Sequence, residues 1–347
     1  MIDVNLSTVN KIAVHRVGNK NNGDDLLISK NEISINDAQF ESKLHHYFLS
    51  SMPLQDLQRF SGEQGDFTLN PLYEYAKEFF SGMGNLLTTS VKIAKKLYDS
   101  SNHPNIKSGD VFVVHVKNIS FHGENCQGLG IFKSEVKHPF FQVNYAEQSE
   151  LYLLEGIDIN KLDKGALIIN TEAGDGYRVC MVDKTNKSEA EFWKENFLNI
   201  VPCNDEFQQT KQMLQMASTF VTTQYHDEFE VEAPEQIELM QRSIEYFKQR
   251  ESFDNKEFER EVLESPAVIE SFRNFKEQFV KEREIELDEQ FDISEQAVKS
   301  QQKFFKSIIK LDKNFHIYVH GNREWIERGV EPDGRKYYKL YYKEEVS

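Results

Sequence analysis

Cysteine is scarce. Cys126, Cys180 and Cys203 are the three in 347 residues, widely separated and without a CxxC pair. That spacing excludes a disulfide framework and fits a reducing cytosol. No run approaches the ~18 apolar residues of a membrane helix, so no membrane partner is expected. The opening stretch MIDVNLSTVNKIAVHRVGNK lacks the charged region followed by an apolar one that marks a signal peptide. Also missing are the HExxH, GxSxG, GxxxxGK[ST] and EF-hand spacings, internal repeats and low-complexity tracts. Without these motifs the sequence offers no anchor for an enzyme and calls for no cofactor.

What is present is a chain with 39% hydrophobic and 28% charged residues, rich in Phe (26) and Tyr (14), whose aromatic rings are expected to dominate the cores. Its length allows two domains. The net charge of −16 is unevenly spread. Residues 227–295 hold 22 acidic and 9 basic residues, a net of −13, whereas 296–347 hold 7 acidic and 11 basic, a net of +4. An acidic segment followed by a basic tail is the most informative feature of the composition.

Hydrophobic periodicity divides the chain near residue 200. KIAVHRV (11–17) and LLISK (26–30) flank the turn-rich GNKNNGDD, a hairpin signal. Apolar spacing predicts a helix from Asn36 to Ser51, closed by Pro53, and helices over 71–80 and 85–98 with SGMG as the break. Strict alternation then predicts strands over 111–117, LGIFK, 140–145, 150–156, 165–171 and 177–183. Strand–helix alternation with a glycine-rich phosphate loop is absent, which disfavours a doubly wound α/β fold. Beyond residue 188 the pattern turns helical, broken by the polar, acidic TTQYHDEFEVEAPE (222–235), which reads as a hinge. The last fifty residues read as one helix and three short strands. The expected fold class is α+β: a domain over 1–200 with a mixed or largely antiparallel sheet and helices, and a helical region over 201–347 ending in a small antiparallel β-meander.

GDVFVVHVKNISFHGENCQGLGIFK (109–133) brings His115, His122 and Cys126 close in sequence. Zinc wants four ligands, and no fourth Cys or His lies nearby. A thiol nucleophile would need a base and an oxyanion site that spacing does not show. His115 falls on the more polar strand face and the other two in the connecting loop, so the structural reading is preferred and no metal is expected. His316 and His320 could share a helix face, but their segment alternates like a strand. Glu282, Glu284, Glu286, Asp288 and Glu289 crowd one region among basic residues. They read as a solvated helix face or, alternatively, as a protein-docking surface.

One constellation favours a polyanion. In EQAVKSQQKFFKSIIKLDK the lysines are Lys299, Lys303, Lys306, Lys310 and Lys313. On a helix turning ~100° per residue they fall within an arc of about 80°, with Val298, Phe304, Phe305, Ile308 and Ile309 pointing the other way. Such a stripe suits a phosphate backbone, where each neutralised phosphate releases counterions. A merely solvated amphipathic helix is the alternative. Arg323, Arg328, Arg335, Lys336 and Lys339, with Trp325, Tyr337 and Tyr338 among them, would extend the patch.

The order of parts resembles the bacterial nucleoid-associated protein family of YejK/NdpA type over nearly the full length. The resemblance rests on KIAVHRV, a helix pair before SGDVFVVHV, LGIFK, GIDINKLDKGALIINTE, and the run from YRVCMVDKTNKSEAEFWKENFLNI to QMLQMASTFV. These are patterns of apolar spacing, not catalytic signatures. The resemblance implies a cytoplasmic protein of the nucleoid that binds double-stranded DNA without marked sequence preference, and a link to type II topoisomerase. A homodimer stays open. Two departures stand out: relatives are more basic where this chain has DKTNKSEA, and they often carry glycine where Asn199 follows FL. The DNA contacts would fall on the lysine stripe with Arg323, Arg335 and Lys336. In the rival reading, Glu282, Glu284 and Glu286 face a basic protein partner.

Overall fold

The computed structural model describes residues 2–145, 149–185, 192–231, 233–283, 285–305, 308–311, 315–318 and 325–344. The chain forms two compact units, Met1–Cys203 and Asn204–Ser347, and the fold class is α+β.

The first unit is built on a ten-stranded sheet whose pairings are antiparallel. In chain order its strands are β1 (Ile2–Asp3), β2 (Thr8–Val17), β3 (Leu26–Leu27), β4 (Ile33–Ser34), β5 (Gln58–Phe60), β6 (Gly109–Phe121) and β7 (Glu124–Ser134). After a separate hairpin of β8 (His138–Tyr145) and β9 (Ser149–Gly156) come β10 (Lys164–Ile169), β11 (Arg178–Asp183) and β12 (Ile200–Pro202). The main path runs β12-β5-β11-β10-β7-β6-β2-β3, with β1 on β6 and β4 on β2.

Helices cover both faces of this sheet. On one face α2 (Pro71–Phe80) and α3 (Leu86–Ser100) bury Leu72, Ala76, Ile93 and Leu97 against Val111, Val113, Leu129, Ile131 and Ile168. On the other, α1 (Ala38–Leu49) delivers Tyr47, Phe48 and Leu49 onto Val114, Val116, Phe132 and Leu167. Alternation puts His115 on the more polar face of β6. In fact Val111 and Val113 are as buried as Val114 and Val116, because α2 and α3 close the second side. Gly130 permits this packing: a Cβ there would sit 2.4 Å from the ring of Phe132, which stacks on Phe48 at 4.5 Å.

Buried polar side chains tie the connections down. Asn70 caps α2 by accepting from the Leu72 amide, while its Nδ2 donates toward the carbonyls of Ser61, Leu198 and Asn199 at 2.8, 2.9 and 3.0 Å. Proline at the first position of α2 suits a site whose amide has no intrahelical partner. At the end of the sheet a buried ion network forms. Glu135 Oε1 lies 2.8 Å from Lys133 Nζ and its Oε2 3.5 Å from Lys164 Nζ, which is also 3.7 Å from Asp183. All four side chains are at most 2% exposed. Charges so far from water persist only when paired and hydrogen-bonded. Here Lys133 also donates to the Lys107 carbonyl at 2.6 Å and Lys164 to Thr185 at 2.7 Å.

The second unit packs the helices Glu206–Thr222, Ala233–Gln249 and Pro266–Arg283 around Phe220, Phe247, Phe258 and Phe272. A strand pair, β13 (Ser252–Asp254) with β14 (Gln290–Asp292), adds stacked Phe253 and Phe291 at 4.7 Å. The stretch 222–235, expected as a hinge, contains a helix, Gln224–Phe229. Tyr225 and Phe229 pack against the aromatic core and stabilise it despite the polar composition. Of the acidic run, the described residues 285–289 are not helical.

The helix expected to carry the lysine stripe is corrected more sharply. It spans only Glu295–Gln301, continues as a short 3₁₀ turn to Phe304, and is followed by β15 (Ile308–Leu311), paired antiparallel with β16 (Phe315–Tyr318). β-branched Ile308 and Ile309 favour the strand, and pairing with Phe315–Tyr318 supplies the hydrogen bonds. Phe305 and Ile309 are buried, whereas Phe304 is 53% exposed rather than on the core side. A last hairpin joins β17 (Ile326–Val330) to β18 (Lys336–Leu340).

Candidate nucleic-acid interface

The histidines and cysteine of the first unit form no common site. β6 and β7 meet in a two-residue turn at His122 (φ 49°) and Gly123 (φ 87°), both in the left-handed region that a primed hairpin turn requires. Cys126 is not in the loop but on β7, opposite Ile119 and in the core on the α1 side, where burial raises its thiol pKa. His115 lies against Phe79 of α2 on the other side of the sheet, with Nε2 2.8 Å from Gln127 Oε1 and its pKa lowered chiefly by burial. No group of three His, Cys, Asp or Glu side chains able to hold a metal occurs among the described residues.

A histidine that sequence reasoning passed over, His15 on β2, is more deeply buried. The Ser29 amide donates to its Nδ1 at 3.1 Å, which leaves the proton on Nε2, 2.9 Å from Ser90 Oγ. Ser90 in turn donates to the Leu87 carbonyl. The hydroxyl therefore accepts from the imidazole instead of giving up its proton. That is the opposite of a serine nucleophile activated by a histidine base.

The basic residues of the C-terminal segment are distributed over several elements. Lys299, on the helix Glu295–Gln301, is 73% exposed and lies 3.4 Å from Glu295. Lys303 sits one turn on, in the 3₁₀ segment, its Nζ 5.0 Å from the ring centre of Phe304. Lys310 falls on β15, beyond the end of the helix. Lys306, Lys313, Arg323 and His320 lie outside the described residues, as does Glu284. Arg335 stands in the β17–β18 turn, paired with Asp333 at 2.7 Å, and Lys336 opens β18 opposite Val330. Alternation along that hairpin puts Arg328, Lys336 and Tyr338 on one face, and the Glu327–Lys339 pair with Tyr337 on the other. Among the described residues, Lys303 and Lys336 have no carboxylate within ion-pair distance.

The structure also brings together cations the sequence kept apart. Lys248 and Arg250, from the acidic segment, line a cleft of about 540 Å³ with Lys299, Gln302, Glu251 and Glu295. Arg250 is held by Glu257 at 3.2 Å and stacks over Tyr246 at 4.4 Å; the paired Glu257 has a lowered pKa, first through its bond from Arg250. No sequence pattern marks this grouping, because the two basic residues are submerged in a net negative stretch.

Part of that negative charge is paired with cations of the same segment. Glu259, 4% exposed, receives Arg273 in a two-pronged contact at 2.8 and 2.6 Å. Glu264 meets Arg242 at 2.6 Å, and Glu289 meets Lys276 at 2.8 Å. Glu282 and Glu286 are exposed; Glu282 accepts from Gln278 at 2.7 Å, and the Glu286 carbonyl accepts from Gln209 at 3.1 Å.

The family model described as nucleoid-associated protein YejK matches residues 13–335, nearly the whole chain. The chain belongs to this nucleoid-associated family. The match begins within β2 and ends at the last turn, so it takes in the sheet, the helical unit and the basic tail alike. Membership gives the protein a setting at the nucleoid, in the cytoplasm, and places it in a family that is not one of known enzymes. No helix among the described residues is long and apolar enough to cross a membrane. A comparison with curated proteins returns no match.

Proposed function

We propose that this protein binds double-stranded DNA without strong sequence preference, through cations of the segment 299–336. The observation that carries the reading is the partition of charge in a member of a nucleoid-associated family. Arg250, Arg273, Arg242 and Lys276 pair with carboxylates inside the acidic segment, which keeps its net of −13, whereas Lys303 and Lys336 are exposed in a separate segment of net +4. A net charge of −16 therefore does not forbid a locally attractive surface. Because the stripe is not one helix, contacts would come from separate short elements, each reaching one phosphate.

The test is a triple variant, Lys299→Glu, Lys303→Glu and Lys336→Glu, titrated with random-sequence duplex over a range of salt. Losing three phosphate contacts should reduce the slope of log affinity against log salt by roughly 2.7, at ~0.9 per phosphate. The loss should be equal for unrelated sequences, since phosphate contacts carry no base information. Wild-type affinity and slope in a folded variant would refute the reading. The exposed Glu282 and Glu286 favour a second reading, an acidic surface docking a basic protein such as a type II topoisomerase. Charge reversal there should abolish capture of the purified enzyme and leave DNA affinity intact.

A further inference from the structure

The hairpin of β8 and β9 is the most exposed apolar element of the first unit. Its strands pair from His138↔Gly156 to Tyr145↔Ser149, and neither joins the ten-stranded sheet. Alternation places Phe141, Val143, Tyr145, Leu151 and Leu153 on one face, 70, 47, 83, 63 and 66% exposed. Phe140, Tyr152 and Leu154 occupy the other and are exposed as well. A lone two-stranded hairpin is marginal in water, and a contiguous apolar patch of this extent marks an interaction surface.

We propose that this hairpin is a self-association arm, covered by the same hairpin of a second copy packed through the Phe141–Leu153 face. Three considerations select that occupant. Residues 138–156 contain three glutamates and no lysine or arginine, so a phosphate backbone is repelled and a DNA-inserting arm is excluded. The centre of the face carries no charge, so a two-fold axis can lay the patch on itself without opposing like charges, as an isologous contact requires. The area also suffices: the five apolar side chains of that face, at roughly 100 Å² of exposed surface each, supply about 500 Å² per copy, so two copies bury about 1,000 Å², the lower bound for a specific interface. The inference is independent of how the C-terminal segment binds DNA.

The experiment is sedimentation velocity on the full chain over a broad concentration range, comparing wild type with Phe141→Ser/Leu153→Ser. The wild type should sediment as a dimer of the 40.6 kDa chain. The variant should raise the dimer dissociation constant by more than roughly a hundredfold, since central aromatic and aliphatic anchors dominate such interfaces. A second variant, Val143→Cys, should cross-link to itself under mild oxidation, against a low background because Cys126, Cys180 and Cys203 are buried. If the serine variant misfolds, the cysteine cross-link decides. A wild type that stays monomeric throughout overturns the proposal, and so does a dimer that neither loses affinity in the serine variant nor cross-links through Val143→Cys.

Discussion

Glu135 offers the sharpest test of how the first unit is held together. Its carboxylate reaches Lys133 and Lys164 at 2.8 and 3.5 Å, with each side chain about 1% exposed. Glu135→Ala removes the anion and leaves two ammonium groups in the interior, with Asp183 at 3.7 Å from Lys164 as a distant partner. Breaking a buried pair by deleting one member costs about 3–5 kcal/mol, because the surviving charge stays desolvated. For a unit the size of Met1–Cys203, each kcal/mol shifts the melting midpoint by ~2–4 °C, so the expected drop is about 6–20 °C. Fluorescence of Trp193, fully buried in this unit, reports the transition. Adding Lys133→Met to Glu135→Ala should recover part of the loss, since the second change removes one of the two buried ammonium groups that Glu135 balanced and the two sites are coupled. A single variant that melts with the wild type would refute the reasoning and mean that water reaches the network.

Two further outcomes follow from the same structure. Burial lowers the pKa of His15, so the folded protein favours the neutral ring while the unfolded chain titrates near 6.5. Its contribution is therefore complete above that pH and is lost as pH falls through 6.5 toward the lower folded value. His15→Gln should flatten the acid limb of a denaturation-midpoint profile; an unchanged limb would remove the claim. At Asn199 the backbone has φ 49°, and its carbonyl accepts from Asn70 and the Ser61 amide. Asn199→Ala should destabilise by up to roughly 1 kcal/mol, the part of the ~1–2 kcal/mol left-handed cost that asparagine's short polar side chain offsets and alanine cannot, whereas Asn199→Gly should not. Urea unfolding with equal midpoints for the two would contradict this account.

The sequence by itself determined the fold class and most strands of the first unit. Alternation in VFVVHV, glycines around LGIFK, and a proline after an asparagine at 70–71 are local signals that the structure obeys. It also carried the order of elements, and with it the family. What it could not carry was the fate of EQAVKSQQKFFKSIIKLDK. A lysine every three or four residues is compatible with a helix, but Ile308 and Ile309 pair with the strand that follows. Strand pairing is a non-local choice, invisible to periodicity within one segment. Burial of both faces of β6, the separation of His115 from Cys126 across the sheet, and the grouping of Lys248, Arg250 and Lys299 around one cleft have the same origin. Charge is a sum in the sequence but a distribution in the fold. Only tertiary structure decided which carboxylates were neutralised by arginines from other turns, and which cations were left facing water.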